Sequence, residues 1–277
     1  MEKETNSEFY IGYVPEAPPG IATFIKKTVI FLILIVAFVV VCYVLNEKGF
    51  VNSTNALLKQ TELQGVIYKK PFPMIKVFLE DNTYRSIPFT GYGKFGAEET
   101  MAAFEKEIGG NIEHYQVTVK GGIVYYDGRA MMQLNPGAES LIAYELLSSA
   151  LPERAVEVLG KVILEGEIVD SKCFFGAMNP GYGKIHLSCA VRCISGGIPP
   201  ILVVKDEKGF SNYFLLTGKD GNPVNKEMLS KTGLPVQVKG TLEKVDDWLV
   251  LHVEPKTGVN TLTANRIDAS LQLCTND

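Results

Sequence analysis

The feature that most constrains this chain is that its second half repeats the order of its first. A strand-like segment, YRSIPFTG at 84–91, precedes a helical stretch, AEETMAAFEKEI at 97–108, and a strand, YQVTVKG at 115–121. Further along, NYFLLTG at 212–218 precedes VNKEMLSK at 224–231 and PVQVKG at 235–240. Each series closes with a hairpin-like segment, IVYYDGRAMMQL at 123–134 and LEKVDDWLVLHV at 242–253. Asp127-Gly128 is a two-residue turn signal, because both central positions of a type I′ turn need positive φ. The opening strands also match, LQGVIY at 63–68 against LEGEIV at 164–169. A shared Val-x-Val-Lys-Gly could arise once by chance, but its recurrence in one frame implies duplication.

Strands, a helix between the third and fourth, then a closing hairpin is the order of a small Greek-key barrel, the OB-fold. The expected class is therefore mainly β, with two tandem OB-fold-like five-stranded barrels behind one N-terminal transmembrane helix. The expected divisions are a cytoplasmic aromatic and proline tail at 1–27, the transmembrane helix at 28–45 and a juxtamembrane linker at 46–60. The first barrel then spans 61–136, a helical linker 137–159, and the second barrel 160–277 with an insertion at 171–199. The linker reads as helical because ESLIAYELLSSA at 139–150 has apolar residues at helical spacing. The stretch from Val51 to Gln60 is read as an outward continuation of the membrane helix.

Residues 28–45, TVIFLILIVAFVVVCYVL, carry no charge. At ~1.5 Å rise per residue such a helix reaches roughly 27 Å, enough for the core of a bilayer. A cleaved signal peptide would end in small residues of an Ala-x-Ala kind, whereas the exit here is CYVLNEK at 42–48. Lys26 and Lys27 precede the span and only Lys48 follows it closely. The positive-inside bias then places the N-terminus in the cytoplasm and the bulk of the chain outside. The segment FYIGYVPEAPPG at 9–20 admits two readings, an interfacial aromatic belt or a docking segment for another subunit of a membrane complex. With 27 Lys and Arg against 31 Asp and Glu, no basic surplus points to nucleic acid.

The duplication isolates the chemistry. The first copy joins its opening strands through a short loop, while the second inserts a Gly-rich stretch that holds Cys173, His186, Cys189 and Cys193. Three thiolates and one imidazole suffice to close a site around zinc, copper or iron. His186, Cys189 and Cys193 sit at i, i+3 and i+7, so a short helix over 185–194 presents them on one face. Their spacing, Cys-x12-His-x2-Cys-x3-Cys, matches no standard zinc finger, Rieske or c-type haem pattern. Two alternatives stay open. A disulfide could staple the insertion, most easily from Cys173, or Cys189 and Cys193 could run thiol–disulfide chemistry. GYGK occurs at 91–94 and 181–184, but no Walker Ser or Thr follows either copy, and both read as loops. His114 and His252 read as ordinary strand residues, Trp248 as core, and Cys42 and Cys274 as remote from the cluster. No Ser-His-Asp set or paired carboxylates stand out, so no catalytic residue is assigned and an enzyme is not the expected class.

An anchor followed by an OB-type barrel resembles the haem chaperone family of cytochrome c maturation. That family carries haem on a His-x-x-x-Tyr motif after the last strand. This chain has no histidine beyond His252, so the resemblance extends to architecture alone. The segment GEIVD at 166–170, with Cys173, His186, Cys189, Cys193 and GGIPP at 196–200, is similar to uncharacterised bacterial membrane-anchored proteins. This likeness implies a bacterial inner-membrane location with the barrels periplasmic. The resulting expectation is a membrane-anchored accessory subunit that binds a metal or metal cofactor and a protein partner.

Overall fold

The computed structural model describes residues 17–46, 53–80, 83–205 and 211–262. The tail at 1–16 and Cys274 lie outside the described residues. Two units result, Met1–Val51 and Asn52–Asp277.

Helix α1, Pro19–Asn46, starts nine residues before the charge-free run. Proline at its first position needs no amide partner and has φ already set for a helix. The Thr23 and Thr28 hydroxyls donate back to the carbonyls of Pro19 and Phe24, so neither is left unpaired along the apolar stretch. Pro19–Leu45, whose most apolar stretch has a mean hydropathy of 3.2, is long and apolar enough to cross a membrane. A signal sequence would meet the same criterion.

The second unit is two barrels of one topology. In the first, β1 (Ser53–Tyr68), β2 (Met74–Phe78), β3 (Tyr84–Thr90), β4 (Tyr115–Tyr126) and β5 (Arg129–Leu134) lie in the order β1-β2-β3-β5-β4, and β4 returns to β1. Helix α2 (Glu98–Ile108) bridges β3 and β4. It buries Met101 and Phe104 and ends at Gly109, whose φ of 74° suits a left-handed cap. In the second barrel, β7 (Val156–Asp170), β8 (Pro200–Lys205), β9 (Ser211–Gly218), β10 (Pro235–Val245) and β11 (Trp248–Val253) repeat that order, with β10 closing onto β11. The insertion carries helix α3 (Leu187–Ser195), and a short helix after it, α4 (Asn225–Met228), occupies the place of α2. In both barrels the third and fifth strands run parallel, as the OB order requires. Alternation places Val117 and Val119 in one core and Val236 and Val238 in the other. The matched glycines Gly65 and Gly166 allow strands to cross closely. A Cβ there would lie 2.2 Å from the Lys76 or Val203 carbonyl oxygen.

The duplication extends further than the sequence reading took it. Each barrel adds a sixth strand beside its fourth, β6 (Leu141–Leu146) on β4 and β12 (Val259–Thr261) on β10. The expected linker helix at 139–150 is thereby corrected. Pairing from Tyr115↔Leu146 to Val119↔Leu141 satisfies its backbone groups as a ladder instead. The helical reading of 51–60 is corrected too, since from Ser53 the chain is strand and pairs with Tyr126 and its neighbours.

The barrels also interlock. Asp246, buried at the tip of the β10–β11 hairpin, binds Lys76 Nζ of β2 at 2.9 Å and Arg154 Nε at 2.7 Å. Trp248 donates from Nε1 to the Ser86 carbonyl at 2.6 Å, and Arg129 Nε donates to the Asp247 carbonyl at 2.9 Å. Tyr126 from one barrel packs against Phe174, Phe175 and Tyr213 of the other, and Trp248 stacks on Phe175. Separating 160–277 from the first barrel would bare this seam.

Candidate metal centre

The insertion begins where β7 ends. Asp170 is fully buried there, and its Oδ1 accepts from the Cys173 amide at 2.9 Å, which turns the chain into a wide helical turn, Cys173–Ala177. Cys173 is buried beside Cys193 and Ile198. The chain then travels through a Gly-rich loop to α3, Leu187–Ser195. His186 is the residue before its first turn, and Cys189 and Cys193, four apart, share a face. The predicted short helix is present, shifted by two residues at its start.

All four predicted residues meet in this region, in two overlapping groups. The ligand atoms of Cys173, His186 and Cys189 lie within 4.8 Å of one another, and so do those of Asp170, Cys173 and Cys193. Cys173 belongs to both. Its Sγ is 3.8 Å from that of Cys189, well beyond the roughly 2.05 Å of a disulfide, and all described cysteines are free. The disulfide-stapled loop is therefore absent among the described residues. The cluster could hold a metal ion.

Two residues in contact with the cluster escaped the sequence reading. Asp170 Oδ2 pairs with His186 Nε2 at 2.8 Å, with both side chains buried. A carboxylate paired with an imidazole in this way fixes the ring's orientation, as it does for metal-binding histidines. Its signal was available, an acid three residues before the first cysteine. The other is Lys94, whose Nζ donates to Cys189 Sγ at 2.8 Å and lies 3.8 Å from Cys193 Sγ. It belongs to the GYGK segment at 91–94, which reads as a mere loop in sequence. The second GYGK acts differently. Its Gly183 amide donates to Glu167 at 2.7 Å, while Lys184 stays exposed.

The electrostatics follow from these contacts. A hydrogen bond from Cys173 pulls the Cys193 thiol below its ordinary range against the opposing effect of burial. The same bond, then burial and the Asp170 charge, push Cys173 up. The bond to Cys189 raises Lys94. Burial lowers Lys172 to about 8, against the nearby sulfurs and Asp170. Lys172 Nζ donates to the Gly91 and Gly93 carbonyls at 3.0 and 2.6 Å.

The remaining candidates are structural. His252 bridges Thr217 and Glu243 within the second barrel, Trp248 is core, and Cys42 lies on α1. Comparison with family models, curated proteins and solved structures gives no match.

Proposed function

We propose that this chain is a membrane-anchored accessory subunit whose second barrel binds one thiophilic metal ion through Cys173, His186, Cys189 and Cys193. The observation that carries the proposal is the mutual approach of Cys173, His186 and Cys189 to within 4.8 Å without a disulfide. A buried Asp170 already orients the imidazole. Zinc, copper or iron suits this donor set. The anchor is α1, with its N-terminus cytoplasmic and the barrels outside, and neighbouring subunits of a membrane complex are the proposed partners. Exposed Ile185 and Leu187, beside a groove lined by Tyr182, Val203 and Leu234, offer an apolar contact next to the site. Metal analysis of the full chain, purified anaerobically in detergent, tests the proposal. One equivalent is expected in the wild type and a loss in Cys173→Ala. A metal-free wild type refutes it.

A second reading is thiol redox chemistry, favoured by the 3.8 Å separation of Cys173 and Cys189. It moves the reactive pair from Cys189/Cys193 to Cys173/Cys189. Forming the bond releases two protons and sends two electrons to an external disulfide. Alkylation and mass mapping after mild oxidation should then find a reversible Cys173–Cys189 bridge, and permanently free thiols would eliminate it.

A further inference from the structure

We infer that the metal site spans both barrels, with Lys94 of the first barrel as a positioning residue that, together with Lys172, balances the cluster's charge for a divalent ion. This inference rests on the metal-binding reading above and assigns the site a lid and a charge class of ion.

The first barrel reaches the cluster through the loop between β3 and α2. That loop is fastened at several points. Lys172 holds it through the carbonyls of Gly91 and Gly93, and the Gly96 amide donates to the Gly196 carbonyl at 2.8 Å. Backbone meets backbone there, since a Cβ on Gly196 would sit 2.0 Å from the Lys94 carbonyl oxygen. Lys94 is thus carried to the sulfurs by a docked segment, with its ammonium on Cys189 and beside Cys193. A donor on a coordinated thiolate withdraws charge from sulfur and holds its lone pair in place.

Charge decides the ion. A metal takes its cysteines as thiolates. Cys173, Cys189, Cys193 and Asp170 then bring four negative charges, and Lys94 and Lys172 bring two positive. The groups facing the Lys172 amine are Cys193, Cys173, Asp170 and Lys94, and those facing Lys94 are the three cysteines. Cys173, Cys193, Asp170, Lys172 and His186 are buried, where net charge is expensive. The cluster is short by two positive charges. A divalent ion brings it to neutrality, a cuprous ion leaves it negative and a ferric ion leaves it positive.

The test uses the full chain in detergent as wild type, Lys94→Met, Lys94→Gln and Lys94→Arg. Zn²⁺ affinity is read by competition with a chromophoric chelator, and Co²⁺ loading reports the thiolate-to-metal charge-transfer band. Loss of an outer contact of this kind weakens metal binding about 10–100-fold. That loss is expected in the Met and Gln variants, with a shifted cobalt band, and Arg should recover most of it by keeping the charge. A lysine that only glued the loop would change metal-free melting but not the band. If Zn²⁺ affinity in folded Met and Gln variants stays within twofold of wild type, the role of Lys94 is refuted. Wild type that carries stoichiometric cuprous ion when zinc, iron and copper are all supplied refutes the charge assignment. A wild type holding no metal at all refutes the earlier metal reading instead.

Discussion

Replacing Asp246 with asparagine removes the anion from the seam between the barrels and changes little else. The Asp246 side chain is 0% exposed and Lys76, its partner at 2.9 Å, is 5% exposed, so the lysine has no water to turn to. Asp246 has φ of 55°, a left-handed conformation that asparagine also tolerates, and the hairpin turn should survive. Breaking a buried ion pair by removing one partner costs about 3–5 kcal/mol. For a unit of this size each kcal/mol is worth about 2–4 °C, so Tm should fall by roughly 6–20 °C. Scanning calorimetry of the full chain in micelles at pH 7 measures it. Lys76→Met, combined with Asp246→Asn, should lose less than the sum of the single variants, because the stranded charge is gone. An Asp246→Asn variant within about 2 °C of wild type, or strict additivity with Lys76→Met, would refute the argument, since the buried charges would then add nothing to the seam.

Further outcomes follow from the same contacts. Burial pushes the Asp246 carboxyl up, but Lys76 and Arg154 outweigh it and hold the group below its ordinary value. Its folded pKa lies below the unfolded ~3.9, so its contribution is complete above that pH and disappears as pH falls through the folded value. Denaturant midpoints should therefore drop in strong acid, less steeply in Asp246→Asn, and equal acid slopes in the two proteins would contradict this. Gly196→Ala must push the Lys94 carbonyl away and should cost about 1–3 kcal/mol along with metal retention, while Gly110→Ala, with 3.4 Å to its nearest neighbour, should cost little by urea titration.

The two barrels were legible because duplication doubles every weak signal. Val117 and Val119 against Val236 and Val238 fix two core strands, and Gly65 and Gly166 mark the same close crossing twice. The strand β6 was not legible. Leu141–Leu146 has apolar residues that fit a helical period, and it is largely exposed, so only its pairing with β4 decides its state. Ser53–Gln60 failed in the same way. Its partners, from Tyr126 to Gly122, are supplied by the fold and not by any local alternation. Three members of the cluster were legible through helical spacing, and Cys173 through the insertion. Lys94 was not, because its contact with Cys189 spans 95 positions and no local pattern encodes it.

The interlocked hairpin also dictates an order of events during synthesis. Lys76 and Asp246 are 170 positions apart, and Ser86 and Trp248 are 162 apart. The first barrel leaves the ribosome long before the hairpin that covers it, because domains are made from the N-terminus onward. Until then its Lys76 ammonium and Ser86 carbonyl face water. Contacts this distant close late and slowly, since the entropy of the intervening loop must be overcome first. Docking is thus the last step of folding, and the barrels should melt together in one transition. Under the metal-binding proposal, an ion that arrives before docking would meet the cysteines without Lys94 on Cys189 and would still exchange. Closure of the seam would then commit the proposed site to its ion.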